Sequence, residues 1–82
     1  MDELNTFLAE LKCAVIDKEK TLIAGGKYST FTKIRLKNCN AAVKEFETNC
    51  QVYDENKIQG PDVVAKMGTS YLKILANIES IV

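Results

Sequence analysis

Three thiols, a Gly-Gly-Lys triplet and a scatter of carboxylates are the groups in this chain that could do chemistry. Cys13, Cys39 and Cys50 make an odd set with no Cys-X-X-Cys pair, and no Asn-X-Ser/Thr acceptor is present. Both features lean towards a reducing, intracellular setting. Cys39 and Cys50 lie about three helical turns apart and read as small core hydrophobes. Cys13 falls off the apolar pattern of its segment and is the candidate for redox chemistry or an intermolecular disulfide, with only Lys12 beside it to lower its pKa.

Gly25-Gly26-Lys27 invites comparison with a phosphate loop. A Walker-type loop needs glycine five positions before the Gly-Lys pair and a hydroxyl after it. Thr21 and Tyr28 stand there instead. The acidic turn that starts at Asp54 fails as a calcium loop: Ile58 occupies the fifth position, glycine arrives at the seventh, and Ala65 stands at the twelfth. Glu45, Glu47, Asp54 and Glu55 are strung along one segment with no second polar cluster to meet, so no carboxylate pair or two-metal centre is indicated. The chain has no histidine, which removes Ser-His-Asp and Cys-His catalysis and the common histidine-containing zinc sites. The expectation is a protein that is not an enzyme and takes no metal or cofactor.

The elements that must position these groups are legible in the apolar spacing. Leu4, Phe7, Leu8, Leu11, Val15 and Leu22 recur at helical intervals. They predict a helix near 2–23, with Asp2 as candidate N-cap and Gly25-Gly26 as its stop. Phe31, Ile34, Ala41, Ala42, Phe46, Cys50 and Tyr53 give a second helix near 30–55, for which Ser29, Thr30 and Thr32 are candidate caps. The alternative over residues 21–36 is a short hairpin about the two glycines, suited by Thr, Tyr, Phe and Ile, but Phe31 falls opposite Ile34 and Leu36 in a period-two pattern. Gly60-Pro61 starts a third helix near 61–81 with the densest apolar stripe, from Val63 to Val82, which is expected to be the most buried. Gly68, beside that stripe, suggests close approach of another helix.

The fold class is therefore all-α: an antiparallel, up-down-up three-helix bundle, with residues 1–82 a single domain. A chain of 82 residues buries only roughly 60–65% of its unfolded surface, so stability is modest and dimerisation would add core. The longest apolar run, Cys13 to Ile16, is too short to cross a membrane, and the opening MDELN is acidic where a secretory signal is basic. A cytoplasmic location without membrane insertion is the expectation.

Charge is the informative feature. Lysines plus arginine number 11, as do the acids, yet the signs are segregated. Residues 24–44 hold Lys27, Lys33, Arg35, Lys37 and Lys44 with no acid, whereas 45–62 hold Glu45, Glu47, Asp54, Glu55 and Asp62 against Lys57 alone. In a bundle of this topology the acids gather at one pole, and Lys18, Lys20 and the early basic residues of the second helix gather at the other. That helix places its charges against its own dipole. Lys33, Lys37 and Lys44 share a face expected to lie opposite Phe31, Ile34, Ala41 and Phe46. With Lys27 and Tyr28 from the turn they form the candidate partner-binding surface.

The function read from these residues is a small protein-binding module of adaptor, inhibitor, immunity or chaperone type, docking on an acidic protein surface and a candidate for self-association. The alternative is a nucleic-acid-binding accessory protein contacting phosphates through the same lysines. A pI near 6.2 and the opposite acidic pole weigh against that alternative.

Overall fold

The computed structural model describes residues 2–58 and 60–82, Asp2 by its backbone alone. The chain forms α1 (Asp2–Ala24), α2 (Thr30–Glu55) and α3 (Pro61–Glu79), and every pair of helices is in contact. Phe7 meets Tyr71 and Lys18 meets Glu79, so α1 and α3 run parallel; Lys12 meets Glu47 and Arg35 meets Ser80, so α2 runs against both. The up-down-up bundle is thus present. It is a rod of 44 × 15 × 15 Å, little longer than its longest helix, α2, at about 39 Å. Its radius of gyration is 13.9 Å, above the roughly 12 Å of a rounder domain of this length.

The glycine pair stops α1 by a defined motif. The N–H of Lys27 donates to Leu22 O at 2.8 Å and that of Gly26 to Ile23 O at 3.2 Å, with Gly26 in the left-handed region at φ 69°. This is a Schellman cap, and Gly26, not Gly25, is the residue it requires. Residues 25–29 are a turn and α2 follows, so the hairpin alternative is excluded. Ser29 is the N-cap: its hydroxyl accepts from the Thr32 N–H at 3.3 Å. The same Schellman pattern ends α2, with Lys57 N–H to Asp54 O and Ile58 N–H to Tyr53 O, but there Lys57 takes the left-handed position at φ 54°. Pro61 opens α3 after Gly60. The capping role expected of the Asp2 side chain lies outside the described residues.

The core runs the length of the rod: Leu4, Leu11, Val15 and Leu22 from α1, Leu36, Val43, Phe46 and Cys50 from α2, Val63, Met67 and Ile78 from α3, and Ile81 beyond it. Two expectations are corrected here. The inward face of α2 is Thr32, Leu36, Val43, Phe46 and Cys50; Phe31, Ile34 and Ala41 face out. Leu36, Val43 and Cys50 recur every two turns and set the phase, and one turn before Leu36 comes Thr32, not Phe31. A threonine is tolerated in the core because its hydroxyl lies 2.9 Å from Ser29 O and 3.1 Å from Lys27 O. Nor is α3 the most buried helix. Val64, Tyr71, Ile74 and Leu75 stay half-buried and Val82, past its end, is exposed; Ile74 lines both of the shallow clefts between α2 and α3.

Gly68 does face another helix. A Cβ built on it would lie 3.7 Å from the Phe7 ring, an ordinary contact, so the approach does not demand glycine. Phe7 in turn stacks on Tyr71, with centroids 4.7 Å apart and planes 23° apart.

Candidate functional site

The five residues singled out by charge fall into two groups. Tyr28 and Lys33 are brought together: the Tyr28 ring packs half-buried on the core, its hydroxyl donates to Glu19 Oε2 at 3.1 Å, and Lys33 Nζ sits 5.2 Å from the ring centroid. Tyr28 is thus a strap holding the turn to α1, with one ring face offered to Lys33. Burial first, then the bond to Glu19 and its charge, raises the Tyr28 pKa. Lys37 and Lys44 stand exposed on the same side of α2 as Lys33, which makes a row about 16 Å long. Lys27 is set apart, on the wall of a cleft of about 210 Å³ with Thr21, Leu22, Ile81 and Val82.

Acids temper the basic pole. Glu19 lies within it, bonded to Tyr28, and Lys18 Nζ is 3.4 Å from Glu79 O, where it complements the end of α3. The remaining positive surface is the outward side of α2's first half, and here the re-phased helix matters. Phe31 is 69% exposed and Ile34 54% exposed; Ile34 lies between the two flanks of the helix, and Phe31 stands beside Arg35 on the α3 flank, away from the lysine row. The Arg35 guanidinium lies 5.9 Å from the Phe31 centroid, and its Nη2 donates to Ser80 Oγ at 3.1 Å. On α1, Ile16 and Ile23, two turns apart, are exposed as well. The Lys12–Glu47 pair, at 2.8 Å, marks the antiparallel register, in which Ile16 comes near the level of Lys44. Ile34 on α2 and Ile16 on α1 therefore border the basic row, and Phe31 with Arg35 lies beyond Ile34.

Comparisons of the chain with protein-family models, with curated proteins and with solved structures return no match.

The α2–α3 clefts offer little chemistry. They measure about 230 and 280 Å³ and share Ala42 and Ile74. The first includes Cys39, whose thiol is pushed up by burial, with the Arg35 charge pulling the other way. A thiol so shifted is mostly protonated near neutral pH and a poor nucleophile. Cys50 is buried and also raised, by burial and then by Asp54 and Glu47. Cys13 is exposed. Among the described residues no three His, Cys, Asp or Glu side chains converge as metal ligands, and no helix is long and apolar enough to cross a membrane.

Sequence reasoning found the basic row and missed the exposed apolar residues of the same helix half, because it placed Phe31 and Ile34 in the core. The signal that could have corrected it was the two-turn recurrence of Leu36, Val43 and Cys50.

Proposed function

We infer that the chain is a non-enzymatic protein-binding module, and that its docking surface is the outward side of α2 from Phe31 to Lys44 with the adjoining face of α1. The observation that carries this reading is the exposure of Phe31 and Ile34 within a run of five basic residues and no acid. Exposed aromatic and aliphatic side chains at a fixed, charged surface favour a protein partner: burying them drives association, and the surrounding charges select and steer. The partner chemistry that fits is an apolar spot ringed by carboxylates. Arg35 and Lys33, each held over an aromatic ring, lose less side-chain freedom on docking than unrestrained cations would.

The test is capture from the native host with the wild-type chain and two variants. One reverses Lys33, Lys37 and Lys44 to Glu; the other truncates Phe31 and Ile34 to Ala. A captured protein lost by both variants, whose purified form binds more weakly as salt rises, supports the reading. Capture that neither variant changes refutes it. Gel shifts with DNA and RNA at low salt serve as the counter-test: binding that depends on the lysines but not on Phe31 and Ile34 would replace a protein partner with phosphate contact.

A further inference from the structure

The two halves of α2 complement each other. Its first turn carries no acid and its last turn no base, so both ends oppose the helix dipole. Asp54 and Glu55 stand where cations belong, while Lys33 and Arg35 follow soon after an N-terminus that favours anions. Along the outward side, Ile34 and Val52 are a whole number of turns apart, both about half exposed, with exposed Ala41 and Thr48 between them. A helix charged this way is corrected by an antiparallel copy of itself.

We propose that a second copy of this chain docks on the outward face of α2, its own α2 antiparallel, about a two-fold axis level with Val43. In that register Ile34 meets Val52 of the second copy, and Ala41 meets Glu45 of the second copy. Glu55 of the second copy comes level with Phe31, two residues or about 3 Å along the axis from Lys33 and within reach of its side chain, and symmetry makes each contact twice. The like-charged Lys44 side chains meet near the axis, where Glu45 of each copy offsets them. Each α2 receives acids beside its N-terminal half and bases beside its C-terminal half. The dimer covers the surface proposed above for an acidic partner, so partner and second copy compete for it. It rests on the face of α2 and not on that reading.

Sedimentation of the purified full chain tests it, with no partner present. An interface made by one helix face is small, so the dimer is expected to be micromolar or weaker. Lys33→Glu and Glu55→Lys each weaken it about tenfold, since each turns two attractions into repulsions. The double variant restores it to within about threefold, because the swapped charges attract again across the interface. Ile34→Asp abolishes the dimer with helical content intact by circular dichroism. A strict monomer at millimolar concentration overturns the proposal, and so does a dimer indifferent to Ile34 or not rescued by the double swap. Either failure leaves the acidic-partner reading to its own capture experiment.

Discussion

The phase of α2 decides which of its apolar residues hold the bundle together and which are left exposed, and truncation separates the two. Leu36 is 4% exposed, Phe31 69% and Ile34 54%. Truncating a buried leucine to alanine removes its transfer energy and leaves a cavity, at a cost of about 2–5 kcal/mol. A domain of this size has about 4–12 kcal/mol in total at typical stability per residue. Leu36→Ala should therefore remove a large share of the stability, and at ~4–8 °C per kcal/mol lower Tm by about 10 °C or more. Phe31 has less than a third of its surface covered, and its neighbour Arg35 adds a contact worth about 0.5–1 kcal/mol at an exposed site. Phe31→Ala and Ile34→Ala are each expected to cost roughly 1 kcal/mol or less. Urea or thermal unfolding followed by far-UV circular dichroism measures all three. Comparable losses at Phe31 and Leu36 would mean that Phe31 is core, and the docking surface would be lost with it.

Three further outcomes follow from local geometry. Lys57 occupies the left-handed position that Gly26 occupies at the other turn, so Lys57→Gly should raise stability by about 0.5–1 kcal/mol and Gly26→Ala lower it by about 1 kcal/mol, both read from denaturant midpoints. Gly68→Ala gains helix propensity and meets Phe7 at 3.7 Å, so it should stabilise by up to roughly 1 kcal/mol in the same assay. The Tyr71 hydroxyl donates to Glu10, and chiefly that bond raises its pKa; Tyr28 is raised as well, by burial and by its bond to Glu19. Their contribution is full below the unfolded tyrosine pKa of about 10 and is lost as pH rises through the folded values. Stability should therefore decline on the alkaline side, and less steeply in Tyr28→Phe and Tyr71→Phe, as pH-dependent unfolding would show.

The number, order and direction of the helices were legible because breakers and period agree at both turns. Gly26 can take the left-handed backbone, and Pro61 is preset for a first helical turn. The face of α2 was harder to read, since its wheel carries apolar residues all round: Phe31, Ile34 and Val52 outward, Leu36, Val43 and Phe46 inward. The inward arc also contains a threonine, which pattern reading discounts. Thr32 is admitted only because the Lys27 and Ser29 carbonyls lie within reach of its hydroxyl, a condition set by the turn's geometry and invisible in residue type. The candidate surface inherits that ambiguity, its lysines plain in the sequence and its apolar residues identifiable only once the phase is known.

The same distinction explains why the charge pattern of α2 carries more weight beside the structure than alone. Segregated charge on a solvated helix costs little, since water and salt screen it and nothing else depends on it. Apolar side chains left in water in the same place are a different matter. Phe31, Ile34 and Val52 forgo burial that the bundle could have given them, because the inward arc is already filled by Thr32, Leu36, Val43, Phe46 and Cys50. A three-helix bundle buries one arc of each helix, and α2 carries apolar groups on two. In the docking proposed above, that second arc is buried by a contact outside the chain. The charges beside it would then set the terms of that contact: carboxylates opposite Lys33 and Lys37, basic groups opposite Glu55. A partner with a uniformly acidic surface satisfies the first half alone, whereas an antiparallel second copy satisfies both. The two occupants are therefore separable at Glu55, where charge reversal should weaken self-association while leaving an acidic partner's affinity unchanged or raised.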